Sequence, residues 1–99
     1  MIEMRILFER TGGLMGRKLQ GALDSSSLPA TQARRLARLV DEAHFFDLPI
    51  KLECSRTGAD RFSYRVTIET EGGSHTVEAA ETAVPNELRP LLAYLTRSL

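Results

Sequence analysis

Ninety-nine residues, among them thirteen Lys/Arg, thirteen Asp/Glu and a single cysteine, leave room for one modest domain, predicted to span 1–99. A hydrophobic share of 42% and a charged share of 26% exclude a disordered or collagen-like chain, and the zero net charge argues against a strongly basic nucleic-acid binder or an acidic mimic. The cancellation hides an asymmetry: residues 1–40 carry seven Lys/Arg against three Asp/Glu, and residues 41–99 carry six against ten.

The first segment alternates, with Ile2, Met4, Ile6 and Phe8 on one face and Glu3, Arg5 and Glu9 on the other; Leu7 breaks the pattern. Period two over seven or eight residues predicts a half-buried strand. Thr11-Gly12-Gly13 then predicts a tight hairpin, since paired glycines supply positive φ. Leu14 to Leu23 is expected to return antiparallel with Leu19 and Leu23 inward, and Gly16 and Gly21 suggest a bulge or strong twist. Asp24-Ser25-Ser26-Ser27 reads as a turn. Ala30–Phe45 has helical spacing, with Ala33, Leu36, Leu39, Val40 and Ala43 in one stripe and Arg34, Arg35, Arg38, Asp41 and Glu42 outside it. Pro29 suits the entrance, and Phe45-Phe46-Asp47-Leu48-Pro49 reads as a hydrophobic exit that caps the core edge.

Ile50 to Ala59 gives little periodic signal and is expected to be a loop. The next alternation is cleaner: Phe62, Tyr64, Val66 and Ile68 face one way, Arg61, Ser63, Arg65, Thr67 and Glu69 the other. Glu71-Gly72-Gly73-Ser74 predicts a hairpin turn into a strand over His75–Ala80, with Val77 and Ala79 inward. A last helix is predicted from about Pro85 to Arg97, striped by Leu88, Leu91, Leu92 and Leu95. Pro90 means that it either starts there or bends. The predicted fold class is therefore α+β: a two-layer ββαββα arrangement, a four-stranded antiparallel sheet with two helices packed on one face. The other face, carrying Arg5, Glu9, Arg61, Arg65, Thr67 and Glu69, is expected to be solvated.

The chemistry-bearing residues do not assemble into a catalytic or metal motif. His44 and His75 stand apart, with neither His-Glu-x-x-His nor Cys-x-x-Cys, so no metal ligand set is predicted. Cys54 has no histidine or basic cradle beside it and forms no internal disulfide; with the charges alternating along the N-terminus and no signal-like apolar run, it favours a reducing, cytoplasmic setting. No stretch approaches the ~20 apolar residues that a spanning helix needs, so no membrane role is expected. Ser25-Ser26-Ser27 lacks a neighbouring base and is better explained as a turn before a helix. Gly12-Gly13-x-x-Gly16 lacks the Gly-Lys-Ser/Thr of a phosphate loop and precedes a strand, not a helix. Arg34, Arg35 and Arg38 share their helix with Asp41 and Glu42, a mixed surface rather than a nucleic-acid stripe. One oddity remains: Leu14 and Met15, two large apolar residues beside a predicted turn, either fold onto the core or face a partner.

Taken in order, the segments resemble the emfourin family, small bacterial inhibitors of thermolysin-like metallopeptidases such as protealysin. The resemblance is carried by the opening strand ending in Phe8, by Gly12-Gly13-Leu14-Met15-Gly16, and by Leu36 and Leu39 leading to Phe45-Phe46-Asp47-Leu48-Pro49. It continues through Asp60-Arg61-Phe62-Ser63-Tyr64-Arg65-Val66 and His75-Thr76-Val77 to Pro85, Leu88, Pro90, Leu91 and Leu95. It implies a non-catalytic cytoplasmic inhibitor that occludes the cleft of a thermolysin-like peptidase encoded nearby, with no cofactor and no metal of its own. Such enzymes favour a large apolar side chain just after the scissile bond. The expected partner-binding residues are therefore Gly12, Gly13, Leu14 and Met15, assisted by the segment Ser55–Ala59. The alternative is a structural or interaction module forming a homodimer, through an edge strand or the exposed sheet face, without inhibitory activity; a monomer or weak homodimer is expected in either case.

Overall fold

In the computed structural model, residues 3–12, 18–52 and 62–98 are described. Strand β1 (Met4–Gly12) is followed by β2 (Leu19–Asp24), helix α1 (Ala30–Glu42), β3 (Lys51–Leu52), β4 (Phe62–Thr70), β5 (Gly73–Ala80) and helix α2 (Arg89–Ser98). Short 3-10 turns stand at Ser25–Ser27, Phe45–Asp47 and Glu81–Ala83.

The alternation read from the sequence decides which side of the sheet is buried. Met4, Ile6 and Phe8 of β1, Val66 and Ile68 of β4, and Val77 and Ala79 of β5 form one cluster with Leu36 and Val40 of α1 and Leu91, Leu92 and Leu95 of α2. Both helices thus lie on one face, as predicted. Ile6, Leu36, Ile68, Leu91 and Leu95 are fully enclosed, each worth about 1.5–3 kcal/mol in apolar transfer. Leu39, placed in the α1 stripe by its spacing, is only half-buried against that core. The opposite face is polar. There Thr67 and Thr76 share a hydrogen bond across strands at 2.8 Å, and Arg65 reaches Glu78 at 3.7 Å.

The sheet departs from the expected one in strand number and direction. It has five strands in the order β2-β1-β4-β5-β3, antiparallel except that β3 runs parallel to β5. The added strand comes from the stretch expected to be a loop. Two residues are too few to show a period, and what makes them a strand is their neighbour: the Glu78 amide donates to the Ile50 carbonyl at 2.7 Å, and Lys51 and Leu52 lie beside Glu78 and Ala79. The chain crosses the helical face on α1, from β2 at one edge to β3 at the other, so the two long strands β1 and β4 end up side by side at the centre.

Two local expectations change with the register. Arg10 pairs with Leu19, whereas a two-residue turn at Gly12-Gly13 would pair Thr11 with Leu14. β1 instead continues through Gly12, held by β4 on its other side, where Gly12 faces Phe62. Gly21 lies in regular register opposite Phe8, with no bulge there; Gly16 lies outside the described residues. The helix limits are also tighter. α1 stops at Glu42 because His44 turns left-handed (φ 50°, ψ 43°), and the chain then swings the Phe45 ring into the core at 1% exposure. Of the two choices for α2, the helix begins at Pro90's own turn: Pro85 to Leu88 form a separate turn, and the Leu92 amide makes the first helical bond, to the Leu88 carbonyl at 3.1 Å.

Candidate functional site

Of the residues expected to meet a partner, Gly12 is described and Gly13, Leu14 and Met15 lie outside the described residues, as does the segment 55–59. Gly12 closes β1 with φ 108°, a left-handed-side value that a side chain would strain, so glycine here lets the chain leave the strand at an angle closed to other residues. The register places four exit points in one row. Gly12 faces Phe62, Arg10 faces Leu19, Ser63 faces Ala80, and Leu52 faces Ala79. The chain therefore leaves at Gly12, returns at Lys18, leaves again at Leu52 and returns at Phe62, all at the same end of the sheet. Whether these two connections share an end depended on strand order, which only the fold supplies.

This end is firmly built. Nine consecutive pairs join β1 to β4, from Met4 opposite Thr70 to Gly12 opposite Phe62. Tyr64 packs its ring against Phe8 at 6.2 Å, and Lys18 approaches Glu9 at 3.6 Å across the start of β2. An open groove of about 290 Å³ runs beside it, lined by Thr11, Leu52, Ser63, Tyr64 and Ala80 among others. β1 is thus held by β4 as far as Gly12.

The opposite end carries a hollow that sequence reasoning did not single out. A groove of about 610 Å³ lies between the end of α1 and the β4–β5 turn, walled by Met4, Val40, Phe45, Phe46, His44 and Gly73. Phe46 stands 48% exposed at its rim. The tandem Phe45-Phe46 was the available signal, but spacing alone does not say which ring turns inward. The 3-10 turn decides it: the Asp47 amide bonds the His44 carbonyl at 2.9 Å, and Phe45 and Phe46 pack edge to face at 5.6 Å.

The other chemistry-bearing side chains are committed to structure. His75 Nε2–H donates to the Leu48 carbonyl at 2.8 Å and its ring sits edge-on to Phe45, which ties the helix exit to β5. Ser25, 8% exposed, accepts the Met4 backbone N–H on its Oγ at 2.9 Å. Asp24 caps the serine turn: its Oδ1 accepts from the Ser26 hydroxyl at 2.7 Å and the Ser26 amide at 3.0 Å. These two bonds, with a smaller contribution from the charge of Arg5, hold the Asp24 carboxyl below its ordinary range. Arg34, Arg35 and Arg38 are exposed on α1, and Arg34 Nε reaches back to the Ala30 carbonyl. Among the described residues no three His, Cys, Asp or Glu side chains gather as a metal site, and no helix is long and apolar enough to cross a membrane.

The family model for emfourin matches residues 8–96, nearly the whole chain. The chain belongs to the emfourin family. That family is one of peptidase inhibitors, not of enzymes. Among solved structures the chain is similar to emfourin (M4in) from Serratia proteamaculans, an M4 family peptidase inhibitor, at 19% identity and a TM-score of 0.52, covering 90% of this chain and 85% of that one. At that identity the likeness speaks for the fold, and the family match speaks for descent. No curated protein matches the sequence. The matched range begins at Phe8, inside β1, and ends at Thr96, inside α2, so this emfourin-family chain shares the elements of both layers.

Proposed function

We propose that this protein inhibits a thermolysin-like zinc metallopeptidase in the cytoplasm, by occluding the active-site cleft without chemistry of its own, and that its target is encoded nearby. The observation that carries this reading is the emfourin match across residues 8–96. The contact is proposed to be Gly12, Gly13, Leu14 and Met15, with the segment 55–59 beside them. In support, Gly12 ends β1, an inner strand paired on both sides, and the flanks of both segments lie at one end. A stable inhibitory interface buries on the order of 1,200–2,000 Å² in total, more than one loop supplies, so two connections leaving the same end suit the task. The zinc belongs to the peptidase. Here the inhibitor's part is to hold an apolar side chain in the pocket that receives the substrate and to keep water and substrate out.

Titration of a purified thermolysin-like peptidase with the protein tests the reading. A stoichiometric loss of activity supports it, and undiminished activity at micromolar excess refutes it. The contact is tested separately. The Leu14→Ala/Met15→Ala double variant is expected to raise the inhibition constant by more than ~10-fold, about 1.4 kcal/mol. A change within about twofold, under ~0.5 kcal/mol, refutes the placement while leaving the inhibitory reading intact.

A further inference from the structure

The two edges of the sheet differ in kind. β3 is two residues long, follows Pro49 and includes Lys51, all of which blunt an edge against further pairing. β2 has six residues and, from Leu19 to Leu23, neither a charge nor a proline. Among the described residues no strand pairs with its outer side, so half of its N–H and C=O groups point away from β1.

We propose that β2 is a self-association edge whose occupant is β2 of a second copy of this chain, added antiparallel about a two-fold axis through Gly21. The strand is its own complement in that register. With Gly21 opposite the partner's Gly21, Leu19 meets the partner's Leu23, Gln20 meets the partner's Ala22, and Lys18 meets the partner's Asp24. Leu19 and Leu23 are half-buried and pack against the core from the sheet edge, so pairing them extends the apolar layer across the junction. Lys18 and Asp24 are exposed and flank them on the open face, so opposite charges meet at both ends of the seam. Sliding the register by two residues either way puts a leucine opposite glycine and breaks the charge pair. A slip of one residue would turn the helical layer of the second copy to the other side of the sheet.

Six residues span only about 20 Å, so the contact is narrow and the dimer depends on concentration. Sedimentation velocity of the full chain, from about 5 µM to about 1 mM, is expected to show the mass rise from 11.0 kDa toward twice that value. Lys18→Asp sets like charges against each other in the seam and is expected to move the dimerisation midpoint at least fivefold higher. Arg34→Asp, on the exposed side of α1, should leave it unchanged. Circular dichroism checks that both variants fold. Amide hydrogen exchange reads the edge directly, with protection across 20–23 rising with protein concentration. A monomer throughout that range overturns the proposal, as does a dimer indifferent to Lys18→Asp that leaves exchange at 20–23 unchanged. Protection of 20–23 that comes only on adding a thermolysin-like peptidase, with the free protein monomeric, also overturns it and gives the edge to the peptidase.

Discussion

Replacing Ser25 by alanine removes the acceptor of one buried backbone N–H and little else. β1–β2 pairing ends with Arg5 opposite Asp24, one residue short of the strand's start. The Met4 amide therefore has no carbonyl to meet from β2, and the Ser25 hydroxyl takes that place at 2.9 Å, at a side chain 8% exposed. Alanine leaves the N–H buried and unpaired, at a cost of about 1–3 kcal/mol. In a chain of this size ~1 kcal/mol moves Tm by about 4–8 °C, so a loss of ~2 kcal/mol lowers it by roughly 8–16 °C. Equilibrium urea denaturation reads the loss directly, and an unchanged slope with denaturant shows that the folded state was affected. Ser26→Ala is the control: Asp24 loses the exposed hydroxyl bond and keeps the amide bond, so the change stays within about 0.5 kcal/mol. If Ser25→Ala matches the parent within ~0.5 kcal/mol, the Met4 amide finds another acceptor and this account of the turn is refuted.

His44→Gly is expected to stabilise the fold by about 1 kcal/mol, because His44 holds a left-handed backbone that glycine adopts freely; a thermal melt that fails to rise would show that the imidazole earns its place at the groove rim. Phe45→Ala empties a site that is 1% exposed and removes two ring contacts, so a loss of about 3–5 kcal/mol is expected in denaturant, a large part of a small domain's stability. Asp24 has its folded pKa below the unfolded value, so its contribution is present above the ordinary carboxylate range and is lost as pH falls through the lowered folded value. Asp24→Asn should therefore flatten part of the stability loss below about pH 4, measured as denaturation midpoint against pH; an acid limb of unchanged slope would show that the capping bonds contribute nothing.

Much of the molecule was legible because its segments satisfy simple periods. Met4, Ile6 and Phe8, or Val66 and Ile68, turn inward in whatever order the strands pair, since a strand with one greasy side has one stable orientation. The α1 and α2 stripes follow for the same reason, and Gly73, at φ 136° behind a two-residue turn, is where the repeated glycine pointed. The helix ends were less legible. His44 carries no local signal for a left-handed turn, and that turn decides that Phe45 is buried while Phe46 stands half in solvent.

The candidate site divides along the same line. The sequence supplied the residue types, Gly12 through Met15, and the segment order that marks the family. It could not say that β1 runs on into the expected turn as far as Gly12, because the pairing that holds it there comes from β4, some fifty residues away in the chain. Nor could it show the fifth strand, whose two residues are ordered by hydrogen bonds from β5 and by no pattern of their own. Composition, charge balance and hydrophobic period are local properties, and they determined by themselves the α+β class, the buried face and the lack of a catalytic motif. Strand order, the shared end from which the connections leave, and the place of β2 at the sheet edge are products of long-range pairing; only the tertiary structure decided them, because backbone hydrogen bonds carry no signature in the residues that make them.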